Sequence, residues 1–252
     1  MKKTSLQKNA YDILTISYIQ FLEFKANMLL HILVSVTIPL GFMILLELIV
    51  GNLTEMDKIQ FMSGALTTTI MVSSLNSLGQ EVAADRFILR LKLFITRPVN
   101  PFAYGIGMLI GTSYGMFIGV GVILAYSILV WNVSIFGSII NFIVILLLSW
   151  LSLAGVALLV GANSTNLRQA MALLSVLSFG LIFITPIYYP IENLPTVVQH
   201  FARIIPATYV AMGIKNCILG RGIFIEVIAL ALTTLFTMFF SAKKLHWGAK
   251  YW

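Results

Sequence analysis

Thr69, Ser73, Asn76 and Gln80 follow one another at spacings of four, three and four residues, within an otherwise apolar stretch. On a helix this spacing places all four on one face. A row of hydroxyl and amide groups can hydrogen-bond a passing solute or a neighbouring helix, but it cannot face lipid cheaply. The stripe is therefore either interhelical glue, at about 0.6–2 kcal/mol per bond, or one wall of a polar path. Ser63, Thr67, Ser74 and Ser77 broaden it. A weaker stripe of Ser175, Ser178 and Thr185 lies further along the chain, with Phe179, Phe183 and Tyr188 nearby. Glu47 and Glu226 stand at or near the ends of apolar runs. An intramembrane carboxylate is a functional candidate by default, although both are close enough to an interface to be simply hydrated. His31 is deeper, and a lone histidine there reads as a packing or hydrogen-bonding residue.

The chemistry stops at hydrogen bonding. No Gly-Lys dipeptide exists in the chain, so it has no P-loop with which to cradle ATP. His-Glu-x-x-His and Cys-x-x-Cys are also missing. Nothing assembles nucleophile, base and orienter for an intramembrane hydrolase. The single cysteine, Cys217, excludes an intramolecular disulfide and argues against a multi-cysteine metal site.

The elements that must hold these residues are membrane helices. Of 252 residues, 59% are hydrophobic and 10% charged, and the mean hydropathy is +0.97. A soluble domain carries roughly 25% charged residues. The net charge of +7 reflects basic residues scattered over separate loops. They form no single stripe, which excludes nucleic acid as the expected partner. There is no signal-peptide pattern, and the first apolar run is expected to act as its own insertion signal. A span needs about 20 apolar residues. Such stretches lie at 26–50, 59–80, 102–130, 138–161, 169–188 and 222–242. No charge occurs between Arg97 and Arg168, a length that suits two spans, and Trp131, Asn132, Ser134 and Gly137 supply the turn between them. Six spans put both termini on one side. Lys2, Lys3, Lys8, Lys25, Arg86, Arg90, Lys92, Arg97, Arg168, Lys243, Lys244 and Lys250 share that side, against Lys58, Arg203, Lys215 and Arg221 opposite. The excess places the termini in the cytoplasm and the chain in the cytoplasmic (plasma) membrane. The expected fold is thus an all-α integral membrane protein, read as one domain over 1–252.

Three further segments carry pattern. Over 7–24, Tyr11, Leu14, Tyr18, Phe21 and Leu22 recur at helical spacing, which predicts an amphipathic interfacial helix. Gly107, Gly111, Gly115 and Gly119 form a small-residue ridge along the third span, suited to close packing against a helix of the same subunit or of a second copy. Thr185–Tyr209 carries Pro186, Pro190, Pro195 and Pro206, four of the seven prolines. A span must end or break there. Residues 189–210, beyond that break, are expected to form a re-entrant outer hairpin.

The order Pro186, Tyr189, Pro190, Leu194, Pro195, then Pro206, Thr208, Tyr209, closely resembles the segment before the last span in permease subunits of type-2 ABC exporters. The 81–99 loop resembles that family's coupling segment, with Glu81 at its start and Thr96-Arg97-Pro98-Val99 at its exit. It lacks the family's usual glycine near Asp85 or Arg86. The resemblance implies a permease paired with a second permease copy, with two P-loop ATPase subunits binding ATP and Mg below, and no cofactor on this chain itself. It implies that Glu81, Asp85, Arg86, Phe87, Arg90, Thr96 and Pro98 couple to the ATPase. Thr69, Ser73, Asn76, Gln80, Ser178 and Thr185 would line the translocation path, and the 186–209 residues named above would gate its outer exit. Export of an amphipathic or lipid-like substrate is the implied activity: a drug, a lipid, a lipopeptide or a lipid-linked glycan. A secondary transporter is the other reading, but inverted repeats and mid-bilayer charges are not evident.

Overall fold

The computed structural model describes residues 5–87, 100–133 and 137–244. Its helices are α1 (Ser5–Ala26), α2 (Met28–Val50), α3 (Glu55–Met71), a π-helical segment (Val72–Leu78), α4 (Gly79–Phe87), α5 (Pro101–Leu129), α6 (Ile139–Asn163), α7 (Leu167–Ile184), α8 (Thr196–Ala202), α9 (Pro206–Ile218) and α10 (Phe224–Lys244). No strand occurs among the described residues. The chain is an all-α membrane protein.

Local chemistry sets the helix ends. Thr54 and Asp57 form a reciprocal capping box at the start of α3: Thr54 N–H donates to Asp57 Oδ2 at 3.0 Å, and Asp57 N–H to Thr54 Oγ1 at 3.2 Å. Asn166 Oδ1 caps α7 by accepting from the Gln169 N–H at 2.8 Å. Pro206 opens α9 at its first position, where its missing N–H costs nothing. Gly220, at φ +66°, turns the chain between α9 and α10.

Five described helices are long and apolar enough to cross a bilayer: α2, α5, α6, α7 and α10. The expected second span, 59–80, is not one continuous α-helix. It is the middle of an unbroken helical run, Glu55–Phe87, whose centre is π-wound. The other expected spans lie within about three residues of observed helices, apart from 169–188, which ends early at Ile184 because Thr185 adopts an extended backbone before Pro186.

Two ends of the bundle can be distinguished. One gathers Gly51, Trp131 and Gly220; the other gathers Arg86, Asn163 and Leu167. The run from α3 through the π segment to α4 is the axis. It packs against α2, α5, α6 and α7 in turn, and α9 covers α3 near the Trp131 end. Of residues Val72–Leu78, all but Asn76 and Ser77 are buried. The periphery is thinly packed: 17% of α2's most apolar stretch is buried, as is 22% of that of α7 and of α10. Peripheral apolar surface of this kind is what lipid solvates.

A helix, α1, covers the expected 7–24 segment. α1 packs along α5 through a buried row of Ile16, Ser17, Gln20 and Phe24. Tyr11, Leu14, Tyr18 and Leu22 of the expected apolar stripe face away from the bundle and are exposed. The buried row lies against bare glycine backbone: Ser17 Oγ donates to the Gly107 carbonyl at 3.2 Å.

Candidate functional site

Asn76 and Gln80 meet Ser175 and Ser178 across the junction of the run with α7. Asn76 Nδ2 donates to Ser178 Oγ at 3.2 Å. Gln80 Nε2 donates to Asn76 Oδ1 and to Ser175 Oγ, each at 3.2 Å. The two stripes expected from spacing thus form one hydrogen-bonded cluster, in which Ser178 is fully buried and Asn76 and Gln80 are only part-buried. On one side of the cluster stands α7 and on the other α2. These two helices meet through the rings of Phe42 and Phe183, 6.0 Å apart.

Thr69 and Ser73 are not in the cluster. Thr69 Oγ1 donates back to the Ala65 carbonyl at 2.9 Å, and its methyl lies against Gly119 of α5. The cause is the π segment. Gly79 N–H donates to the Ser74 carbonyl, five residues back rather than four. The extra residue per turn rotates everything beyond it, so the common face implied by 3.6-residue spacing is split between α5 and α7. Ser73 Oγ is buried with no hydrogen-bond partner among the described residues, and so is Thr185 Oγ1.

Residues 185–190 are hooked onto α3. Gln60 Nε2 donates to the carbonyls of Ile187 (3.0 Å) and Tyr189 (3.4 Å). Thr68 and Tyr188 hydroxyls lie 3.0 Å apart. Between them Gly64 meets the loop so closely that a Cβ there would lie 2.6 Å from the Tyr188 ring and 2.8 Å from the Ile187 carbonyl. Gln60, Gly64 and Thr68, at i, i+4 and i+8, hold this loop, and the sequence alone did not single them out. Their periodicity was available as a signal, but without the loop beside them they read as an ordinary small-residue face. Pro186 is buried; Tyr189 is half-buried, donates to the Phe183 carbonyl at 3.1 Å, and has its hydroxyl pKa raised by burial.

Over the expected outer hairpin, 189–210, the chain forms a short turn at Ile191–Asn193, then α8 and the start of α9. Pro190 and Pro195 are exposed and precede the turn at Ile191–Asn193 and α8 respectively. The Leu194 carbonyl accepts from Gln199 Nε2 at 2.9 Å. Pro206, Thr208 and Tyr209 begin α9, which extends to Ile218 and packs against α3, α6 and α10. Thr208 Oγ1 donates to the Ala202 carbonyl, tying α9 to the end of α8.

At the other end, Asp85 is buried, with an exposure of 4%, and accepts from Tyr104 Oη of α5 at 2.8 Å. Arg86 Nη1 donates to the Gly161 (2.9 Å) and Ser164 (3.3 Å) carbonyls at the C-terminus of α6, where the exposed carbonyls favour a cation. Its guanidinium also lies 5.1 Å from the centre of the Phe87 ring. Glu81 does not sit in a surface loop. It lies within the helical run and lines a cavity of about 10 Å³, shared with Gln20, His31, Ser77 and Thr112. Arg90, Thr96, Pro98 and the rest of 88–99 lie outside the described residues, as does Ser134.

The glycine ridge packs within the subunit. A Cβ at Gly107 would lie 2.7 Å from Ile16 Cβ, at Gly111 2.3 Å from Gln20 Cβ, and at Gly119 2.5 Å from Thr69 Cγ2. At Gly115 the nearest atom would be Ser35 Oγ at 3.6 Å, an ordinary contact. The carboxylates are paired rather than hydrated alone. Glu47 accepts from Tyr126 Oη at 3.1 Å, and Glu226, 5% exposed, accepts from Asn216 Nδ2 at 2.8 Å.

Helices of membrane length around a polar-cored axis define a multi-pass membrane protein. The family model described as ABC-2 type transporter matches residues 11–219. The chain therefore belongs to the ABC-2 type transporter family: it is the membrane-spanning permease of an ABC-type transporter, a component without ATPase activity of its own, and association with an ABC ATPase subunit follows from membership. No curated relative matches the chain.

Proposed function

We propose that the chain is the permease of an ATP-driven exporter that moves an amphipathic or lipid-like substrate out across the cytoplasmic membrane. The observation that carries this reading is the Asn76–Gln80–Ser175–Ser178 cluster, part-buried in the strip between α2 and α7. Counting about 1.5 Å per residue from the Thr54 cap, it lies roughly 30 Å along the run, towards the Arg86 end. Polar groups left part-open at that level are costly against lipid. A second copy, facing the first across α2 and α7, would enclose them as a polar entrance.

The excess of basic residues supports a cytoplasmic Arg86 end with both termini on that side, and it makes Glu55–Phe87 the sixth spanning element. In the working cycle two ATPase subunits hold Mg and ATP and close on hydrolysable nucleotide. Their motion reaches the 81–99 segment. Asp85 passes it to α5 through Tyr104, and Arg86 passes it to α6, so the axis and its neighbours move together. Residues 186–190, hooked to α3, together with α8 and α9 form the outer gate. Drug, lipid, lipopeptide and lipid-linked glycan share the required chemistry, an apolar body with a polar head.

Purification of the tagged chain from its native host in mild detergent tests the reading. An ATPase co-purifying at one copy per permease, with activity lost when 88–99 is replaced by a Gly/Ser linker, is the expected result. A chain that purifies alone, that crosslinks to no partner before extraction and that lacks associated ATPase activity overturns it.

A further inference from the structure

A second polar cavity, of about 140 Å³, opens at the Trp131 end between α3, the 186–192 segment and α9. Gln60, Glu192, Lys215 and Arg221 supply its charged and strongly polar walls, and Pro186 and Tyr189 much of the rest. Lys215 Nζ donates to Gln60 Oε1 at 2.6 Å. The amide cannot turn away, because its Nε2 is held by the Ile187 and Tyr189 carbonyls. A neutral oxygen thus fixes an ammonium that retains further donors. Arg221 is exposed and is positioned by its own N–H, which donates to the Asn216 carbonyl at 2.8 Å. Among the described residues neither cation makes an ion pair. Of the nearby carboxylates, Glu226 is committed to Asn216, and Glu192 is an exposed rim group.

Two unpaired cations against one rim carboxylate leave the cavity with a net positive charge. Burial lowers the pKa of Lys215, Glu192 partly restores it and Arg221 lowers it further, so the ammonium is short of an anion. A guanidinium fork beside an ammonium suits a tetrahedral oxyanion, with bidentate donors from one side and a point charge from the other. Gln60 lies within the second turn of α3, at the level where lipid headgroups meet a spanning bundle. We propose that this cavity binds a phosphate group between Lys215 and Arg221. The site is separate from the Asn76 cluster and does not depend on the direction of transport.

The test uses the full chain in maltoside detergent, titrated with dihexanoyl phosphatidic acid and, as the phosphate-free control, dihexanoyl glycerol, with binding read by native mass spectrometry. The phosphatidic acid binds and the glycerol control does not. Lys215→Gln and Arg221→Gln each weaken binding about tenfold, the cost of losing one charge-assisted contact. Glu192→Gln, an exposed change that leaves the fold alone, strengthens it. Competition by inorganic phosphate assigns the site to free phosphate, and its failure to compete assigns the site to a lipid headgroup. Equal retention of both dihexanoyl probes, or binding indifferent to all three substitutions, overturns the proposal.

Discussion

A single glycine separates two outcomes along the α5 ridge. Gly111→Ala drives a methyl into the Gln20 Cβ, next to backbone that cannot yield, whereas Gly115→Ala makes only ordinary contact. Overpacking costs about 1–3 kcal/mol, so Gly111→Ala lowers the unfolding temperature in detergent while Gly115→Ala leaves it unchanged. A scanning-fluorimetry comparison of the two variants decides this. Asn76→Leu removes the bond to Ser178 across the junction and the bond to Gln80 within the run. At about 0.6 kcal/mol or somewhat more for the bond that crosses to α7, transport falls by about threefold or more while basal ATPase activity of the assembled transporter persists. Parallel assays in vesicles would measure both, and equal loss of both would point to a folding defect instead. Residue types foretold much of this: spacing alone brought out Asn76, Gln80 and Ser178. It also grouped Thr69 with them, because a sequence shows the 3.6-residue period and not the place where the backbone departs from it.

Among the elements, apolar length foretold the α2, α5, α6, α7 and α10 helices to within a few residues, since a bilayer thickness fixes that length. The π segment was hidden. Its residues, Val72 to Leu78, carry no proline or glycine to mark a break, and the winding is settled by neighbours on four sides. The loop hooked on α3 gives a prediction at this scale. Gly64→Val pushes Tyr188 from its place beside Thr68, and hydrogen exchange over 185–190 rises relative to the rest of the chain. Unchanged protection there would mean that Gln60 alone holds the loop.

For the whole molecule, the two fastenings at the Arg86 end should act as couplings between moving parts. Tyr104→Phe removes the donor to buried Asp85 while keeping the ring. In the assembled transporter ATP hydrolysis continues and transport per ATP falls; a proportionate drop in both would assign Tyr104 to stability alone. The family assignment rests on 11–219, and the proline-rich order within that range was legible in the sequence without any structure. What the sequence could not convey is that α9 is a packed helix reaching Ile218, because a thirteen-residue apolar helix is too short to be recognised as a span and too regular to be read as a loop.

The π-wound turn has a genetic corollary. A segment that holds one residue more than an α-helix needs can lose one without breaking the helix. Deletion of a single codon within 72–78 would let α3 and α4 join as one ordinary α-helix, with α4 facing nearly as it does now, because the shorter α-wound stretch turns the chain about as far as the longer π-wound one. Gln80, Glu81 and Asp85 would keep their neighbours, and only residues within the segment would shift. Expression and helicity close to wild type would be the phenotype. Deleting a residue from α5 or α6 should instead abolish accumulation of the chain.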